Sequence, residues 1–160
     1  MKILMSAGII FAALASVAGQ GTRDVDRLDE KIRSHLEFAL PGWNHKRVPP
    51  IKGSKNVMVH FWYSAANVNV KVDVSVRPTA DDAKREIRSF LEFRKKPLEL
   101  KEFGEEAFTP EFDGSDLVLR KGRYVIYLSM VDLDAGQPRN DELKKTGREF
   151  AKQLSLIDLE

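Results

Sequence analysis

The chain has no cysteine. Disulfides and thiolate nucleophiles are excluded at once, and so is the acylated cysteine on which a lipoprotein anchor depends. An exported domain of this kind must be held by its apolar core alone. A surplus of charge is missing too: 26 Lys and Arg stand against 24 Asp and Glu, a net +2. Nucleic acid and acidic membrane surfaces are poor partners for so balanced a chain. The sequence contains no Gly-x-Ser-x-Gly elbow, Gly-rich phosphate loop or nucleotide fingerprint. Long apolar runs are confined to one place.

That place is the N-terminus, "MKILMSAGIIFAALASVAGQGTR", where Lys2 is the sole charge before Arg23. The uncharged run from Ile3 to Ala18 ends in small residues, with Ser16 and Ala18 at the positions a signal peptidase reads. Val17 with Gly19 is the neighbouring option. The run falls short of the ~20 residues that span a bilayer, and no Lys or Arg cluster follows to stop transfer. The expectation is a signal peptide over residues 1–18 and a single domain over 19–160, secreted or periplasmic, with no membrane span after cleavage. Loss of Lys2 lowers the net charge from +2 to +1. The remaining length suffices for one core.

Along the domain, Val25, Leu28, Ile32, Leu36 and Ala39 recur at helical spacing, and Pro41-Gly42 stops the helix. Residues 44–55, with Pro49-Pro50, read as an irregular basic loop. Val68, Val70, Val72, Val74 and Val76 then alternate with Asn69, Lys71, Asp73, Ser75 and Arg77. This is a half-buried strand whose polar face meets water, so changes at Lys71 or Asp73 are expected to be nearly neutral. The preceding strand carries Val57, Val59, Phe61 and Tyr63 on one face and Met58, His60 and Trp62 on the other. Thr79 with Asp82 opens a second helix as a capping-box variant. Strands near 107–112, 117–120 and 123–131 follow, the last two joined by a Lys121-Gly122 turn. A final helix begins about Asn140 or Asp141, with Leu143, Gly147, Phe150, Ala151 and Leu154 as its stripe. The predicted fold class is α+β: one layered domain with a mainly antiparallel sheet and about three helices.

"FGEEAF", "LVLRKGRYVIYLS" and the closing amphipathic helix form a turn, an Arg-x-Gly hairpin, an apolar strand and a helix. Over residues 98–156 this pattern resembles exported bacterial domains of unknown function, among them lipoprotein and sensor-type domains with PsbP/Mog1-like folds. The resemblance implies an envelope protein that is not an enzyme, and it brings no catalytic residues. The chain departs from the lipoproteins in lacking the anchoring cysteine.

His35, His45 and His60 show no metal-ligand spacing, so no metal is expected. His60 beside Trp62 is a candidate pocket pair, to which Tyr127 is added from the later hairpin. The bland alternative is a histidine at a sheet edge or under a helix. Lys46, Arg47 and Lys52, with His45 and Lys55, form the densest positive charge, an anion-binding candidate or simply a solvated loop. Asp81-Asp82 suits a first helical turn, and Glu105-Glu106 suits a turn surface. "DLDAGQPRNDE" misses the EF-hand pattern, having Gln137 at position six and Leu143 at position twelve. The functional expectation is a non-catalytic binding module without cofactor, whose partner is a small ligand or an envelope protein. A small secreted hydrolase with a spatially assembled site, or a structural or inhibitory partner of another envelope protein, are the alternatives.

Overall fold

Valine at every second position makes one strand the most legible element, and the molecule is built around it. The computed structural model describes residues 10–50, 52, 56–64, 68–94, 97–110, 116–132 and 140–159. In chain order the elements are α1 (Ile10–Ala39), β1 (Asn44–Val48), β2 (Asn56–Tyr63), β3 (Val68–Val76), α2 (Ala80–Glu92), β4 (Pro97–Glu99), β5 (Glu106–Pro110), β6 (Asp116–Lys121), β7 (Tyr124–Asp132) and α3 (Asn140–Leu156). The strands form one sheet in the order β1-β2-β3-β7-β6-β5-β4, and each described pairing is antiparallel. Two meanders meet where β3 pairs with β7, Val72 lying opposite Leu128. The fold is therefore α+β, as its alternation and hairpins predict.

The valine face is the main core. Val68, Val70, Val72 and Val74 pack with Ile126 and Leu128 of β7, under Leu28, Ile32 and Leu36 of α1 and Phe150 and Leu154 of α3. Burying each such side chain contributes about 1.5–3 kcal/mol. Gly147 lets α3 close on the sheet, since a Cβ there would run into the Met130 side chain. On the second face α2 packs, its Ala83 and Ile87 covering Val118 and Val125. The predicted cap is in place: the Asp82 backbone N–H donates to Thr79 Oγ1 at 3.1 Å, and Asp81 and Asp82 occupy the first turn.

Four readings need correction. Residues 44–48 are a strand, not a loop; an edge strand needs only one ladder, and "NHKRV" has no apolar alternation to announce it. Ile51 and Gly53–Lys55 lie outside the described residues. β4 is a second edge strand, three residues long and exposed, that the sequence does not signal. The β6–β7 turn consists of Gly122 and Arg123, one residue later than predicted, because Lys121 pairs with Tyr124. Lastly, the polar face of β3 is not left to water. Ser75 and Asp73 are buried, since α2 lies against this face.

Candidate functional site

Register decides which face each candidate residue joins. Trp62 pairs with Val70 and His60 with Val72, so both lie on the valine face, where they and Met58 are fully buried. The expected binding surface is thus core. Its neighbours explain how an imidazole is tolerated there. Asp29 of α1 meets His60 Nε2 at 2.6 Å and also accepts from Arg47 Nη1 at 3.2 Å. His45 of β1 stacks on Trp62 at 4.9 Å and on His60 at 5.6 Å, while its Nδ1 lies 3.3 Å from Glu37. Burial pushes the His60 pKa down from 6.5, the Asp29 contact opposes that shift, and His45 and Arg47 add to it. Asp29 is the residue that sequence reasoning missed. Its only signal is a carboxylate between Leu28 and Ile32, next to an apolar stripe.

Tyr127 belongs to the opposite face. It pairs with Asp73, and its hydroxyl donates to Glu86 Oε1 at 2.7 Å. The same carboxylate accepts from Ser75 Oγ at 3.0 Å and is bound by Arg77 Nε. Phe90 of α2 packs on the Tyr127 ring at 5.4 Å. Burial raises the Tyr127 pKa above 10. The structure therefore does not bring Tyr127 together with His60 and Trp62; the whole sheet separates them. The Ser75–Glu86–Tyr127 group is the nearest approach to a hydrolytic constellation. Ser75 is fully buried, with its hydroxyl committed to Glu86, and the group contains no histidine.

The basic cluster divides in the same way. Lys46 lies opposite Phe61 on the second face, whereas Arg47 lies opposite His60 on the first and bridges Asp26 and Asp29. Lys52 is exposed in a turn, and Lys55 is outside the described residues. Neighbours on one strand point apart, so Lys46 and Arg47 do not converge on one anion, and Arg47 serves as the counter-charge of α1. Glu105 and Glu106 are likewise structural. They clamp the buried Arg120 at 2.5 and 2.6 Å, and Glu105 Oε1 accepts from the Gly122 N–H at 2.8 Å. That backbone bond, followed by Arg120, holds the Glu105 carboxyl below its usual range. Gly104, at φ +72°, makes the turn that starts the clamp. Among the described residues no three His, Asp or Glu side chains are grouped as a metal ion requires.

Part of the second face lies beyond the reach of α2 and of the other described helices. α2 packs over β6 and β7. Beyond its reach Phe61 and Tyr63 of β2 and Val131 of β7 are 37%, 42% and 51% exposed. Tyr63, Asn69 and Val131 share one row across the strands, and Lys46, Phe61, Lys71 and Ser129 share the next.

Comparison with protein-family models, curated proteins and solved structures gave no match. The fold and these sites define a layered α+β domain whose described buried ionisable groups are spent on packing, with one sheet region uncovered by the described residues. No helix among the described residues is long and apolar enough to cross a membrane.

Proposed function

We propose that this chain is an exported, non-catalytic binding domain that recognises another protein through the uncovered region of its second sheet face. The observation that carries the reading is the side-by-side exposure of Phe61 and Tyr63, next to Val131. Exposed apolar groups that cluster on an otherwise polar surface mark contact sites. Aromatic rings supply most of the energy of such contacts, because they bury large area with little rotamer entropy to lose. An open sheet surface suits a protein partner better than a small ligand, which needs a cleft. Lys46, in the row of Phe61, adds positive charge and favours an acidic rim on the partner. The N-terminal signal pattern supports placing this partner in the periplasm or outside the cell.

The test compares wild type with a Phe61→Ser/Tyr63→Ser double variant as baits in envelope extract. Both side chains are exposed, so the variant is expected to keep its melting profile. A protein retained by wild type and at least ten-fold depleted on the variant supports the reading. Equal retention on both baits, or no retained protein on either, overturns it.

A further inference from the structure

The Pro41-Gly42 turn that ends α1 also places a tryptophan. Gly42 has φ +89°, a conformation that residues with a Cβ rarely adopt, and the reversal it permits sets Trp43 against α3. There the Trp43 ring meets Phe150 edge to face, with 4.9 Å between centroids. Beside this contact lies a cavity of about 260 Å³. It falls just under the roughly 300 Å³ at which drug-sized sites begin, a size for a single ring.

The lining of the cavity is of two kinds. Buried Leu40 and Phe150 and half-buried Trp43 supply its apolar part. The rest is one row of α3: Glu142, Lys145, Thr146 and Glu149 stand at i, i+3, i+4 and i+7, the spacing of a single helix face. The lysine ammonium only donates hydrogen bonds, ionised glutamates only accept them, and the Thr146 hydroxyl does both. A carboxylate has about four acceptor positions, so the bond that Glu149 Oε1 takes from Gln153 Nε2 at 2.9 Å leaves others for a ligand. The row therefore works through hydrogen bonds and needs no uncancelled charge.

We propose that this pocket binds a neutral pyranose sugar. Such a ring offers a patch of C–H groups to an aromatic wall, whose negative π-face suits their slightly positive hydrogens. Its hydroxyls both donate and accept, as the α3 row requires. An apolar ligand would take water from four polar side chains and return no hydrogen bond. A simple anion would meet two carboxylates, and a simple cation the Lys145 ammonium. α3 packs on the valine face of the sheet, away from Phe61 and Tyr63, so either proposal can fail without the other.

The experiment is a saturation-transfer NMR titration of the full chain with the methyl glycosides of glucose, galactose and N-acetylglucosamine. Cyclohexanol, a ring with one hydroxyl, and glycine betaine, a zwitterion, are the controls. The expected result is saturable binding of at least one glycoside in the roughly millimolar range of so small a ligand, at least ten-fold tighter than both controls. Trp43→Leu, which keeps an apolar contact for Phe150, is expected to weaken that binding at least ten-fold. Thr146→Val/Glu149→Ala is expected to weaken it at least five-fold with an unchanged melting profile. Absent glycoside binding, a control that binds as tightly, or undiminished affinity in either folded variant would each overturn the proposal.

Discussion

His60 sits fully buried with its Nδ1 unpartnered among the described residues, while its Nε2 meets Asp29. Protonating the ring would place a charge between Arg47 and the stacked His45, with one carboxylate to answer it. Burial is the leading cause that lowers its pKa below 6.5. The unfolded chain therefore binds a proton near pH 6.5 that the folded chain takes up only at lower pH. By linkage, stability is whole above about pH 6.5 and declines as the pH falls below it. The carboxylates with lowered pKa, Glu30, Asp82 and Glu105, act further down, below their ordinary values of 4.5, 3.8 and 4.5. Urea midpoints measured from about pH 7 to about pH 5 thus isolate the histidines. Wild type is expected to lose stability across that window, and His60→Gln, which keeps a donor for Asp29, to lose less. Parallel profiles would show that His60 is not the titrating group. The sequence shows that His60 stands beside Trp62, but the aspartate that makes it tolerable lies 31 residues earlier. Pairs of that kind are invisible to local pattern.

Among the elements, legibility followed periodicity. β3 announces itself because its two faces differ completely, and the helices because their stripes repeat. β2 misled because both its faces are apolar, and its more aromatic side, Phe61 and Tyr63, looks more like core than Met58, His60 and Trp62. Pairing with β3 decides otherwise. β1 and β4 are edges, and edges need charge more than hydrophobicity to avoid pairing with other chains, so His45, Lys46 and Arg47 read as loop. Burial of Asp73 under a face expected to be wet changes the mutational forecast for β3. Val72→Asp places an uncompensated carboxylate in the main core, and a loss of several kcal/mol, enough to unfold the domain, is expected. Lys71→Ala is no longer neutral: Lys71 Nζ lies 2.7 Å from Asp73 Oδ2, and Asp73 Oδ1 already has no partner among the described residues. Removing the lysine strands a buried acid at a cost of about 1–3 kcal/mol. Adding Asp73→Ala to Lys71→Ala removes both partners and should recover most of that loss. Denaturant titration of the set checks this. A double variant weaker than Lys71→Ala would mean that Asp73 is stabilised by something other than the lysine.

At the scale of the whole molecule, α1 joins two expectations that pull on one helix. It runs from Ile10 to Ala39, straight through the expected cleavage point after Ala18. Among the residues whose side chains are described, those by which it holds the sheet lie beyond that point: Leu28, Ile32 and Leu36 are buried, and Asp29 binds His60 and Arg47. Processing at Ala18 would therefore shorten the helix and leave these contacts in place. Cutting after Ala39 would expose the Trp62–His60 side of the sheet and remove three buried aliphatic chains, about 5–9 kcal/mol at 1.5–3 each. Against the roughly 5–15 kcal/mol that stabilises an ordinary domain, that is from about a third to all of it. Two truncations separate the roles. The chain starting at Gly19 is expected to melt cooperatively within a few degrees of the full-length protein, and the chain starting at Leu40 to show no cooperative transition. Mass spectrometry of exported material should find the N-terminus at Gly19 or Gln20. An exported product that begins beyond Leu28 and still melts cooperatively would show that α1 is dispensable and that another element covers the valine face.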